Sequence, residues 1–264
     1  MSDTMLNRTM RLRIAVRHPL TECRPPVLLN RLLSVFESAG IPLAVVKDKR
    51  PKPIAELAYP LPLGIEGLEE WADVTLANGI AESLNSLKEQ LIPFLPKGME
   101  ILGIEQIPNH SSSVAELCKT AYWQWFCPDE YISLAKQKIA EFIGSESFQI
   151  NKSGKVEGRK CTKSIEIRHL MQELMWGENV LSFSTPITKG QATNPQKIIA
   201  AILGVDVECL GKIIRQSVTL KQDPKLDRHD KYAQKLRNIY EDAILLETSP
   251  NFKVYDDDDD ILSL

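Results

Sequence analysis

The stretch 10–17, Met-Arg-Leu-Arg-Ile-Ala-Val-Arg, alternates apolar and basic side chains, the period of two expected of a half-buried strand. The helix and strands after it decide the fold. Pro25-Pro26 opens a helix whose apolar face carries Val27, Leu28, Leu29, Leu32, Leu33, Val35 and Phe36, and Gly40 stands where its C-terminus wants a left-handed residue. Residues 43–46 read as a short strand and 47–53 as a basic, proline-bounded loop. Residues 54–60 and 71–76 read as two further strands, with the rigid bend Leu61-Pro62-Leu63-Gly64 between them. An amphipathic helix over 80–95 and a strand over 99–107 close the unit. The order β-α-β-β-α-β is the ferredoxin-like pattern.

The remainder repeats it in topology. Residues 121–127 form an aromatic strand (Tyr122, Trp123, Trp125, Phe126), and Pro128-Asp129 opens a helix running to Phe142 or Ile143. A strand over 148–151 leads into a polar, basic loop over 152–163. Paired strands come next at 164–173 and 179–185, turning at Trp176-Gly177-Glu178-Asn179. Thr193 or Asn194 caps a helix from Pro195 to Gly204, and 207–220 gives a last helix-to-strand passage. The fold class expected is therefore α+β: two tandem ferredoxin-like units, plus a C-terminal helix and an acidic tail. The boundaries are 1–110 and 111–222 for the two units, 223–246 for the charged helix and 247–264 for the tail.

With 43% hydrophobic and 25% charged residues, the 264-residue chain has a globular composition. Its net charge of -3 conceals an asymmetry. Asp256 to Asp260 and Glu247, against Lys253, give residues 247–264 a charge of -5, which leaves +2 on residues 1–246. No apolar run has membrane-spanning length, and Met1 to Met5 lack the apolar core of a signal peptide. The five cysteines are an odd number at wide spacings with no C-x-x-C, as expected of reduced thiols in the cytoplasm.

The search for chemistry finds no phosphate-binding glycine loop, no H-E-x-x-H and no G-x-S-x-G. His18, His110, His169 and His229 are scattered, and Ser111-Ser112-Ser113 reads as a linker. No catalytic residue, metal site or cofactor is expected. Two basic loops carry the functional expectation. Lys47, Lys49, Arg50 and Lys52 against Asp48 give +3. Lys152, Lys155, Arg159, Lys160, Lys163 and Arg168 against Glu157 and Glu166 give +4. Such density suits phosphate, so these ten cations are the candidate RNA contacts. Exposed members of the group Tyr122, Trp123, Trp125 and Phe126 would add base stacking. The proline-rich element, with Pro51, Pro53, Pro60, Pro62 and Gly64, is the candidate interface or interdomain brace. The acidic tail is expected to dock on a basic surface.

Three motifs carry a family resemblance. Ala39-Gly40-Ile41-Pro42, Pro51-Lys52-Pro53 and Ala58-Tyr59-Pro60-Leu61-Pro62-Leu63-Gly64-Ile65-Glu66 together resemble the radical SAM-linked protein family, encoded beside or fused to radical SAM proteins. Residues 163–170 are similar to that family's D-V-R-x-L strand, and 194–205 to its closing helix. The chain departs from the family where Cys23-Arg24-Pro25-Pro26 replaces a Ser-His-Leu-Asp motif, and where Ile54 replaces an arginine. The resemblance implies a radical SAM protein as partner and a non-catalytic accessory role in RNA or ribosome modification. The alternatives are a metal-independent RNA-processing enzyme using His18 or His169 with a lysine, and a scaffold that binds only protein.

Overall fold

The computed structural model describes residues 7–46, 48–77, 83–156, 159–188, 194–226 and 231; for 151–163 it describes the backbone alone. Residues 1–222 make one compact unit and residues 223–264 a second. In the second unit the backbone N–H of Lys225 donates to Asp223 Oδ1. Most of the expected C-terminal helix, and all of the acidic tail, lie outside the described residues.

The first half of the larger unit contains, in chain order, β1 (Arg8–Val16), α1 (Pro25–Ser38), β2 (Val45–Val46), β3 (Lys52–Pro53), β4 (Ala55–Leu57), β5 (Glu66–Leu76), α2 (Leu84–Leu91) and β6 (Met99–Ile107). A connecting turn, α3 (Val114–Leu117), leads to the second half: β7 (Cys118–Phe126), α4 (Ile132–Gly144), β8 (Gln149–Val156), β9 (Arg159–Glu166), β10 (Gln172–Trp176), β11 (Val180–Pro186), α5 (Pro195–Leu203) and β12 (Ile213–Leu220).

One eight-stranded sheet runs β10-β11-β7-β12-β5-β1-β6, with β4 paired to β5. Within the first half, β6-β1-β5-β4 is wholly antiparallel. That is the ferredoxin-like order, in which the first strand lies between the last and the third. The second half repeats it as β12-β7-β11-β10, again antiparallel. The α+β fold with two tandem ferredoxin-like units is thus present as read. In both halves the crossover from first to second strand steps the same way along the sheet, so right-handed connection puts the helices on one face.

The local reasons are those of the sequence. Met10, Leu12, Ile14 and Val16 of β1 turn one face to the core, against Leu28, Leu32 and Phe36 of α1. Gly40, at φ +72°, ends α1 where a side chain would be strained. The side chain of Asn194 accepts from the backbone N–H of Lys197 and so caps α5, which Gly204 ends in the left-handed region.

Three expectations need correction. The basic loop over 152–163 is the greater part of a β-hairpin, β8–β9, paired from Gln149↔Glu166 to Val156↔Arg159. Periodicity missed it because lysines interrupt every apolar alternation. The strand expected over 164–173 is two strands: 159–166 pairs backwards with β8, the chain turns at 168–170, and only 172–176 joins β11. Residues 48–53 likewise belong to a hairpin, β2–β3, with Val45 opposite Pro53 and Val46 opposite Lys52.

The two halves join where β12 runs parallel to β5, with Ile214 opposite Glu66 and Arg215 opposite Gly67. Arg215, wholly buried, makes a bidentate ion pair with Glu70, its Nε donating to Oε1 at 2.7 Å and its Nη2 to Oε2. The same guanidinium donates to the carbonyls of Tyr59 (2.8 Å) and Pro60 (3.2 Å) and lies over the rings of Tyr59 and Trp123. Burial pushes the Glu70 carboxyl above its ordinary value, and Arg215 pulls against that shift. Gly67 is required beside them, because a Cβ there would collide with the Glu70 carboxylate. At the end of the seam, Lys212 reaches Glu66 at 2.8 Å and draws its carboxyl below the ordinary value.

Removing one member of a buried pair strands the other. Glu70→Ala should cost about 3–5 kcal/mol of stability in urea denaturation. The apolar double variant Glu70→Leu with Arg215→Met should recover part of that loss. A single variant as stable as the parent would contradict this description of the seam.

Candidate nucleic-acid interface

Each ferredoxin-like half carries its extra hairpin at the same place, between its first helix and its second strand: β2–β3 after α1, and β8–β9 after α4. The parallel pairing of β5 with β12 orients the halves alike, so both hairpins issue from one end of the sheet. At that end, Leu43 bridges to Leu76 and the Ala44 N–H donates to Thr75 O at 2.9 Å, which roots β2–β3 beside the end of β5. The Ile167 N–H donates to Phe148 O at 2.8 Å, closing β8–β9 just before β10 starts. From β5 to β10 is four strand steps, or about 19 Å at about 4.8 Å per step.

Of the ten candidate contacts, Lys49, Arg50 and Lys52 are exposed on the first hairpin, and Lys47 lies outside the described residues. Lys152, Lys155, Arg159, Lys160 and Lys163 fall on the second. The register sets Lys152 opposite Lys163 and Lys155 opposite Lys160. Arg168 has a different setting. Its guanidinium donates to Ser145 O (3.2 Å) and Ile143 O (3.1 Å) at the C-terminus of α4 and lies 5.1 Å from the centre of the Phe142 ring, so it closes that helix.

Glu166 ties down the second hairpin. Its carboxylate accepts from the Ser147 hydroxyl, from the Phe148 N–H (2.9 Å) and from the Arg168 N–H (2.7 Å). These bonds, the serine's foremost, hold its pKa down to about 2.

The aromatic strand does not supply a stacking platform as a group. Trp123 and Trp125 are buried, with their indole N–H groups donating to Thr185 Oγ1 (2.9 Å) and Leu210 O (2.5 Å). Tyr122 is half-buried and Phe126 is exposed. The proline element is split between the two ends of β4. Pro51 and Pro53 belong to the basic hairpin, whereas Pro60, Pro62 and Gly64 form the turn into β5 at the opposite end, where the Gly64 N–H donates to Thr21 O. That turn braces the two halves through Arg215.

His18 comes just after β1 at the end of the sheet away from the hairpins, and His169 sits in the turn before β10 at the hairpin end. The Cys118 and Cys127 thiols are both pushed up to about 11 by burial, which disfavours the nucleophilic thiolate. Among the described residues, no group of three or more His, Cys, Asp or Glu is placed to hold a metal ion, and no helix is long and apolar enough to cross a membrane.

The open face of the sheet carries residues that sequence reasoning missed. Arg11 and Asp73, opposite one another on β1 and β5, form a buried bidentate pair at 2.9 Å. Arg11 also donates to Ser112 O, and Asp73 accepts from the Val114 N–H, so the pair fastens the linker across the sheet. The only signal for this in the sequence was the basic residue at an alternate position of β1.

Fold and site define a tandem ferredoxin-like protein with two basic hairpins at one end. The chain belongs to the family described as "Uncharacterized protein conserved in bacteria (DUF2344)", whose model matches residues 32–197. Among solved structures, one described as a "putative glycine cleavage system transcriptional repressor" is similar at 11% identity over 73% of this chain and 87% of that chain, with a TM-score of 0.21, too slight a likeness to bear on fold or function. No curated protein matches.

Because the folded pKa of Glu166 is depressed, its stabilisation is present above the ordinary value of 4.5 and is lost as pH falls towards about 2. The protection factors of the Phe148 and Arg168 amides, relative to the unstructured chain at the same pH, should fall across that window. Glu166→Gln should show fast exchange already at neutral pH; unchanged protection in the variant would refute this role.

Proposed function

We propose that this chain is a non-catalytic RNA-binding accessory protein that holds RNA for a radical SAM enzyme, in RNA or ribosome modification. The observation that carries the RNA reading is the register of β8–β9, with lysine opposite lysine on two rungs. Like charges directly opposite in an antiparallel ladder destabilise it, and a polyanion beside the hairpin removes that penalty. The first basic hairpin, β2–β3, at the equivalent place and the same end of the sheet, extends the positive surface along a strand of phosphates. The radical SAM part rests on the resemblance carried by Pro51-Lys52-Pro53 and by the 58–66 motif.

Titration of single-stranded RNA at several salt concentrations tests the first part. Affinity should fall with salt at a slope of about 0.7 per neutralised phosphate. Replacing Lys152, Lys155, Lys160 and Lys163 by Gln should flatten that slope and weaken binding while raising the stability of the hairpin. Absence of binding at low salt overturns the RNA reading. For the second part, purification from the native host should bring down a radical SAM protein, and its absence from the eluate counts against that partner.

A further inference from the structure

A cavity of about 320 Å³ lies on the open face of the sheet, between β4, the ends of β1 and β5, and the linker that leaves β6. That size is within the range of small-ligand sites. Its walls continue directly from the first basic hairpin, since Ile54 comes directly after Lys52 and Pro53 and lines the cavity. Ile54, Ile107 and Pro108 give it aliphatic surface, and Glu56 and Ser111 give it polar groups.

Two of those groups are unsatisfied. Glu56 Oε1 and Ser111 Oγ are both shielded from solvent and have no hydrogen-bond partner among the described residues. Buried polar atoms are nearly always paired, so two orphans lining one cavity point to a ligand that completes them. The other carboxylate in the wall is accounted for: Asp73 is fully engaged by Arg11 and the Val114 N–H. The hydroxyls of Thr9 and Thr75 bond one another at 3.0 Å. The cavity therefore asks for an occupant with donors for a carboxylate, an acceptor for a hydroxyl, and apolar faces for an aliphatic cleft.

We infer that this cavity receives an unpaired guanine base of the bound RNA, an inference that rests on the RNA reading above. The Watson–Crick edge of guanine presents two N–H donors, N1 and N2, beside the acceptor O6. Glu56 accepts from the donors and Ser111 donates to O6, so one edge satisfies both orphans. Adenine and cytosine each set one donor group, the amino, beside an acceptor on that edge, and uracil sets one N–H between two carbonyls, so only guanine gives a carboxylate two adjacent donors next to an acceptor for the hydroxyl. Reading an extruded base by this edge, within an apolar cleft beside a phosphate-binding surface, is a general mode of single-strand recognition. The first hairpin would hold the adjoining phosphates.

The test is a set of fluorescence-anisotropy titrations with short oligouridylates carrying one central guanine, inosine, adenine or cytosine, and with oligouridylate alone. Guanine should bind about tenfold more tightly than adenine or cytosine, with inosine, which lacks the N2 donors, in between. Glu56→Gln should abolish the guanine preference and leave the affinity for plain oligouridylate unchanged, which also reports that the variant is folded. Ser111→Ala should weaken guanine binding alone. If plain oligouridylate binds but the central bases are equivalent, the base pocket is overturned while the RNA reading stands. If no RNA binds, the RNA reading fails. A parallel titration with free GMP then decides the cavity: Glu56-dependent binding keeps its guanine specificity with a free nucleotide as the source, and no binding overturns it.

Discussion

The structure depends on one buried cation. The Arg215 side chain bonds Glu70 of β5 and the carbonyls of the 59–60 turn and lies over the rings of Tyr59 and Trp123. It stands at the seam that makes the two halves one sheet, where the parallel pairing of β12 with β5 is only two residues long. Beyond it, β4 occupies the same edge of β5. A seam so short cannot rest on backbone bonds alone. The Arg215–Glu70 pair, with Lys212–Glu66 outside it and the Trp71 indole donating to Val218 O at 2.8 Å, supplies the rest.

The same seam determines where the two basic hairpins lie. By aligning the halves in parallel it brings two separately inserted hairpins to one end, although they are about a hundred residues apart in the chain. The Arg11–Asp73 pair does comparable work on the open face. It fastens the linker and so raises one wall of the cavity that the first hairpin opens into.

Much of this was legible in the chain. Alternation in β1, the Pro25-Pro26 start and Gly40 stop of α1, and the Asn194–Gly204 limits of α5 are local signals written in single residues. The ferredoxin-like order came from them. Less legible was whatever depends on partners remote in sequence. The β8–β9 hairpin packs Ile150 and Ile165 against the core only at its root, where Glu166 ties it down, and the lysine-rich stretch beyond has no alternating apolar pattern, so it read as a loop. Trp123 and Trp125 looked available for stacking because their core-facing direction is set by the distant helices α4 and α5. Arg11, Glu70, Asp73 and Arg215 are ordinary charged residues in a strand pattern, and only the fold makes them pairs. The basic clusters were visible, but their shared end was not, since it depends on the direction in which the last strand enters.

That last strand has a further consequence for the order of assembly. The first half is complete through β6 by residue 107, yet the edge of β5 that Glu70 serves has its charge partner only at residue 215, in β12. On a chain emerging from its N-terminus, the first half therefore waits with an acidic, unfinished edge until the end of the second half arrives to close it. Both hairpins and the linker precede that closing strand, so the molecule locks its halves together only after every segment of its basic hairpin end is already present.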